Sequence, residues 1–154
     1  MASDVTLSCM YINARSNCNK MDNLLTLVEV YKPHIIAITE SLCCDIFDSE
    51  LSIPDYDLFR IDTPLDNKGG VSMSVMLYVS SYLGAVEWSL VTQFPEQVWC
   101  RLNINSHNDL LIGVCYNSRN GTLFPKNDVL IRELIREVST QHISLMGDFQ
   151  LRMH

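Results

Sequence analysis

The sequence is short of positive charge. Eleven lysines and arginines stand against 18 aspartates and glutamates, a formal net charge of −7. Such a balance repels a polyanion, which disfavours a passive nucleic-acid-binding module held on by basic side chains. A site that holds a divalent cation escapes that objection, because the metal supplies positive charge where a phosphate sits. Long apolar runs are missing too. None approaches the roughly 18 to 20 residues that span a bilayer, and MASDVTLSCMYIN lacks a basic stretch followed by a long apolar one. A soluble, unsecreted chain of the cytoplasm or nucleus is expected, with no membrane partner. CxxC pairs are absent among the six cysteines (Cys9, Cys18, Cys43, Cys44, Cys100, Cys115), several of which sit in apolar runs where a buried free thiol is ordinary. A reducing compartment fits better than a disulfide framework. The adjacent Cys43 and Cys44 poorly suit the spacing of structural zinc sites.

What is present is a core. With 154 residues, 47% hydrophobic and only 19% charged, the chain can bury the interior of one globular domain. No linker, low-complexity tract or charge block divides it, so a single domain over 1–154 is expected. VTLSCMYIN (5–13) reads as a strand. Lys20 to Tyr31 reads as a helix with Met21, Leu24, Leu25 and Val28 on one stripe and Asp22 near the favourable end of the dipole. Pro33 stops it. HIIAIT (34–39) is apolar throughout and β-branched, the pattern of a central strand covered on both faces, and it ends on Glu40.

From 41 to 66 the pattern is a mixed loop with one short strand candidate, DLFRI (57–61). A turn at Lys68-Gly69-Gly70 leads into a long strand, 71–79. Strands follow at 83–90, 97–104 and 109–116, joined by QFPEQ and SHND, links of the kind that connect antiparallel neighbours. After the polar stretch NSRNGT, Asn127 or Asp128 can cap a helix with the stripe Leu130, Ile131, Leu134, Ile135 and Val138, and ISLMGD is another buried strand. Helix 20–31, strand 34–39 and Glu40 are echoed by helix 128–139, strand 142–147 and Asp148. That order fits two similar halves of a sandwich, each delivering an acid from a strand end. A carboxylate there is held rigidly yet meets solvent, which suits hard cations that prefer oxygen ligands. An acid at a strand end also serves merely to cap the next turn.

YINARSNCNKMDNLLTLVEVYKPHIIAITES, GGVSMSVMLYV, EQVWCRL and SLMGDF resemble, in order, the endonuclease/exonuclease/phosphatase superfamily. Within it the sequence looks most like the N-terminal endonuclease domain of non-LTR (LINE-type) retrotransposon polyproteins. That family ends its first strand on asparagine in a short N-x-R-like motif, its second on an acid in a T-E pair, and carries a late G-D-F-N motif. The resemblance implies a four-layer α/β-sandwich, DNase-I-like, with two mostly antiparallel sheets flanked by helices. It also implies Mg²⁺- or Mn²⁺-dependent phosphodiester hydrolysis, in this branch the nicking of DNA. Glu40 is then the metal ligand and Asn13 orients the metal shell or the phosphate. Tyr116 contacts the scissile phosphate, and Arg15 belongs to the substrate-binding motif. Asp148 aligns the attacking water or acts as general base and shares in metal binding. Glu96 matches a recurrent family acid without an assigned role.

The resemblance has gaps. Gln150 stands where the family has asparagine; the amide is kept, but a shift of roughly 1 Å can cost on the order of a hundredfold in rate. The loop NSRNG after Tyr116 replaces a proline-containing stretch. The family's late Ser-Asp-His motif has no counterpart among His34, His107, His142 and His154. A C-terminally incomplete sandwich is therefore expected, with impaired activity and an exposed sheet edge that favours self-association. The competing expectation is a catalytically inactive remnant or interaction module of the same fold. A lipid or inositol phosphate as the target is a further alternative.

Overall fold

The β-branched run after Pro33 forms the most buried strand of the chain. A computed structural model describes residues 6–14, 21–41, 47–64, 72–92, 96–116, 124–139 and 142–148. The first sheet contains β1 (Cys9–Asn13), β2 (Ile35–Ser41), β3 (Tyr56–Pro64) and β4 (Ser72–Ser80), in the order β1-β2-β4-β3. The second contains β5 (Val86–Trp88), β6 (Gln97–Asn105), β7 (Asn108–Tyr116) and β8 (Ile143–Asp148), in that order. Helix α1 (Met21–Tyr31) links β1 to β2, a short helix α2 (Asp48–Leu51) precedes β3, and α3 (Phe124–Val138) links β7 to β8. The β1/β2 and β7/β8 pairs are parallel and the others antiparallel. Each parallel pair needs a crossover, and the crossover is the helix. The echo in the sequence is thus a repeated βαβ unit, one in each sheet.

Alternation along the strands decides the layers. Ile35 and Ala37 of β2 and Val75, Leu77 and Val79 of β4 meet Val98, Cys100 and Leu102 of β6 and Ile112 and Val114 of β7 in one buried cluster between the sheets. The opposite faces carry separate clusters. Ile36, Ile38, Met76 and Tyr78 pack with Leu24 of α1 and Leu51 of α2. Trp99, Leu111 and Cys115 pack with Ile131, Leu134 and Val138 of α3. Helix, sheet, sheet, helix is the four-layer α/β-sandwich. No described helix is long and apolar enough to cross a membrane.

Several boundaries differ from expectation, each for a local reason. Helix α3 begins at Phe124, ahead of Asn127 and Asp128, with Pro125 in its first turn where a missing N–H costs nothing. Ile135 is 40% exposed, so the buried stripe is Ile131, Leu134 and Val138. Leu25 of α1 is likewise exposed. The segment 83–90 yields only Val86–Trp88 as strand, because Ser81–Leu83 forms a 3₁₀ turn closed by Gly84 at φ 62°. DLFRI is the middle of a nine-residue strand. Helix α2 lies in what reads as loop; the Tyr78 hydroxyl holds it by donating to the Leu51 carbonyl at 2.7 Å. The first strand starts at Cys9, and Val5 and the turn at 68–70 lie outside the described residues.

Candidate active site

The two βαβ units end on the residues singled out above. In the first sheet Asn13 is the register partner of Thr39, so the end of β1 lies beside Glu40 on β2. In the second, Tyr116 at the end of β7 is the register partner of Asp148 at the end of β8. Both pairs sit at C-terminal strand ends. The sheets also face one another with these ends on the same side. A cleft of about 360 Å³ between the sheet margins is lined by Ile61 of β3 and by Gln97 and Val98 of β6. Ile61 neighbours the Asp62, Ser74, Ser41 row of the first sheet, and Gln97 lies on the Cys115, Gly147 row of the second. One end of the sandwich therefore carries Asn13, Glu40, Tyr116 and Asp148.

Local structure sets the backbone at these positions. Between Ile38 and Ser41 three steps along β2 run against two along β4, Met76 to Ser74, so Thr39 and Glu40 lie in a bulge. Bulges redirect side chains at strand ends. Thr39 is fully buried, its hydroxyl is hydrogen-bonded to that of Tyr11 at 2.8 Å, and its carbonyl accepts the Ala14 N–H at 2.9 Å. Ser41, on the other side of Glu40, is also buried, and its Oγ has no hydrogen-bond partner among the described residues. On β8, Gly147 adopts φ 145° directly before Asp148, and a Cβ there would collide with the Cys115 carbonyl. Glycine in the G-D pair is thus a steric requirement of the approach between β7 and β8.

Tyr116 is 6% exposed and its ring belongs to the inter-sheet cluster, as a tyrosine at the edge of a core does. Its N–H donates to the Glu96 carbonyl at 3.0 Å. Glu96 is itself buried, so the acid left without a role lies against the candidate site. Arg15 and Gln150 lie outside the described residues. His107 occupies the β6–β7 turn, and His34 bonds Ser8 through Nδ1 at 3.0 Å, so neither joins the site. Thr39 and Ser41 were the contributors hidden in the sequence; the T-E pair draws attention to its acid, and nothing in the alternation signals a bulge.

The candidate donors singled out in the sequence are all oxygen groups: the amide of Asn13 and the carboxylates of Glu40 and Asp148. That chemistry fits a hard divalent cation such as Mg²⁺ or Mn²⁺. Among the described residues no group of three or more histidines, cysteines and acids is placed to hold a metal ion. Burial pushes the Cys100 thiol up to about 12 and the Cys115 thiol higher still, while Cys9 is exposed.

This architecture defines the class. The chain has the fold of endonuclease/exonuclease/phosphatase structures, among them a family protein from Bacteroides thetaiotaomicron with a TM-score of 0.60 at 14% identity over 93% of this chain and 63% of that one. Two particular structures are similar. The endonuclease domain of TRAS1, a telomere-specific non-LTR retrotransposon, matches with a TM-score of 0.65 at 12% identity, covering 93% of this chain and 58% of that domain. The AP endonuclease LMAP from Leishmania major matches with a TM-score of 0.70 at 16% identity, covering 92% of this chain and 54% of the enzyme. The chain thus spans between half and two thirds of the length of these structures. No protein-family model and no curated protein matches the sequence itself.

Proposed function

We propose that this chain, 1–154, is part of a metal-dependent phosphodiester hydrolase, the DNA-nicking endonuclease domain of a retrotransposon-type polyprotein, of which it spans between half and two thirds. What supports the reading is that two strand-end pairs, Asn13 beside Thr39-Glu40 and Tyr116 beside Asp148, lie at C-terminal strand ends on the same side of this sandwich. The similarity to an endonuclease domain of a non-LTR retrotransposon supports the choice of substrate. Glu40 and Asp148 hold Mg²⁺ or Mn²⁺, with Asn13 orienting the shell or the phosphate through its amide. The bound ion supplies charge neutralisation at the phosphate and lowers the pKa of a coordinated water. Asp148 would accept a hydrogen bond from the attacking water as its general base. Tyr116 and Arg15 contact the phosphate backbone, and Gln150 offers its amide to the same group. A hydrolase of this kind escapes the objection raised by the acidic chain, because only the cation's neighbourhood must attract DNA.

Gln150 favours a second reading, an inactive remnant or interaction module of the same fold, because its longer arm displaces the amide from the position asparagine holds. Nicking of supercoiled plasmid in Mg²⁺ decides between them. Loss of supercoiled substrate that EDTA and a Glu40→Ala, Asp148→Ala double substitution both abolish is the expected result; a folded, metal-binding sample that leaves the plasmid intact sinks the nuclease reading. We also propose self-association. Strand β8 is the outer strand of its sheet among the described residues, and an unpaired strand edge is a template for another copy. Sedimentation is expected to give concentration-dependent dimers; a monodisperse monomer contradicts this.

A further inference from the structure

The geometry points to a positioning role for the Tyr11–Thr39 hydroxyl pair: we infer that it locks the bulge carrying Glu40 onto the end of β1 and so sets the affinity of the cation site, a role that rests on the hydrolase function proposed above. Three contacts converge on Thr39. It is the register partner of Asn13, its carbonyl takes the Ala14 N–H at 2.9 Å, and its side chain bonds the Tyr11 hydroxyl at 2.8 Å. Asn13 and Glu40 are thereby tied to one buried residue. The tie is needed because of the bulge. Across Thr39 and Glu40 the ladder to β4 is out of step, so on that side regular pairing does not fix the strand. The β1 side must do so.

The chemistry of the pair fits a locking role better than a packing one. Thr39 is fully buried, whereas Tyr11 is 40% exposed on the edge strand β1. An exposed tyrosine contributes little core, and its hydroxyl is not needed to cover apolar surface. What that hydroxyl does contribute is a partner for a buried threonine one residue from a metal-binding acid. Groups that orient ligands in this way are typically worth 10- to 100-fold in metal affinity or activity when removed.

The test measures Mn²⁺ binding by electron paramagnetic resonance on the whole chain, with thermal melts in EDTA as the check on folding. Tyr11→Phe and Thr39→Val each delete one hydroxyl while keeping shape, and each is expected to weaken Mn²⁺ binding by about tenfold. The double variant is expected to bind no worse than either single, because both remove the same bond. Thr39→Ser, which keeps the hydroxyl, is expected to restore affinity toward wild type; a purely steric role for Thr39 predicts no such rescue. Wild-type Mn²⁺ affinity in Tyr11→Phe, alongside weakened binding in Glu40→Gln, overturns the locking role and leaves the metal site standing. Wild-type chain that binds no Mn²⁺ overturns both, since the site itself is then absent.

Discussion

A methyl group at Gly147 would point into the carbonyl oxygen of Cys115, and φ there is 145°, a conformation that residues with side chains rarely adopt. The strain and the clash each cost about 1 to 3 kcal/mol. Gly147→Ala is therefore expected to lower the melting temperature by roughly 4 °C or more, at about 2 to 4 °C per kcal/mol for a chain of this size. Calorimetry in EDTA checks it independently of any metal; an unchanged melt would mean that β8 approaches β7 less closely than described. The buried thiols offer a second residue-scale check. Burial raises Cys100 to about 12 and Cys115 beyond it, and only the thiolate reacts with alkylating reagents. At pH 8, iodoacetamide is expected to leave both unmodified in the native protein and to label both in denaturant, as read by peptide mass spectrometry.

At the scale of elements, α3 is fastened to the second sheet by more than its apolar stripe. The Glu137 carboxylate accepts the N–H groups of Val91 and Thr92 at 2.7 and 2.8 Å and the Thr92 hydroxyl at 2.6 Å, fixing the stretch that follows β5. Desolvation pushes the Glu137 carboxyl up, but the hydrogen bonds from Thr92 and Val91 outweigh it and leave the pKa below the ordinary 4.5. A depressed folded value means stability that is fully present above the unfolded value and lost as pH falls through the folded one. Wild type is thus expected to be more stable than Glu137→Gln near neutrality, with the gap closing below about pH 4.5 in denaturant melts. A gap that persists at pH 2 would put the effect in packing. This clasp was invisible beforehand because it joins residues 45 apart. What periodicity carries well is that a run is a strand: both β2 and β8 form where the apolar runs stand, but β2 is buried whereas the described side chains of β8 are only half-buried. The start of α3 was not legible, since Asn127 and Asp128 are strong capping residues while the competing signal, Pro125 in the first turn, is a weaker one.

At the scale of the molecule, much of the candidate site was legible, because acids that close apolar strands stand out against the run before them. Glu40 and Asp148 were singled out that way, and the helix-strand-acid echo is the repeated βαβ unit. The bulge at Thr39 and Glu40, by contrast, depends on how β4 pairs, and pairing partners are not written in local alternation. The burial of Glu96 was equally hidden, since its surroundings come from the neighbouring strand β7. Because the two halves of the site hang from different sheets, they resemble the jaws of a caliper whose spacing is set by the filling between them. That filling is the layer of Ile35, Ala37, Val75, Leu77, Val98, Ile112 and Val114, and packed sheets stand about 10 Å apart according to the side chains between them. In the proposed hydrolase the reach across the jaws is therefore set by core volume as well as by the residues at the strand ends.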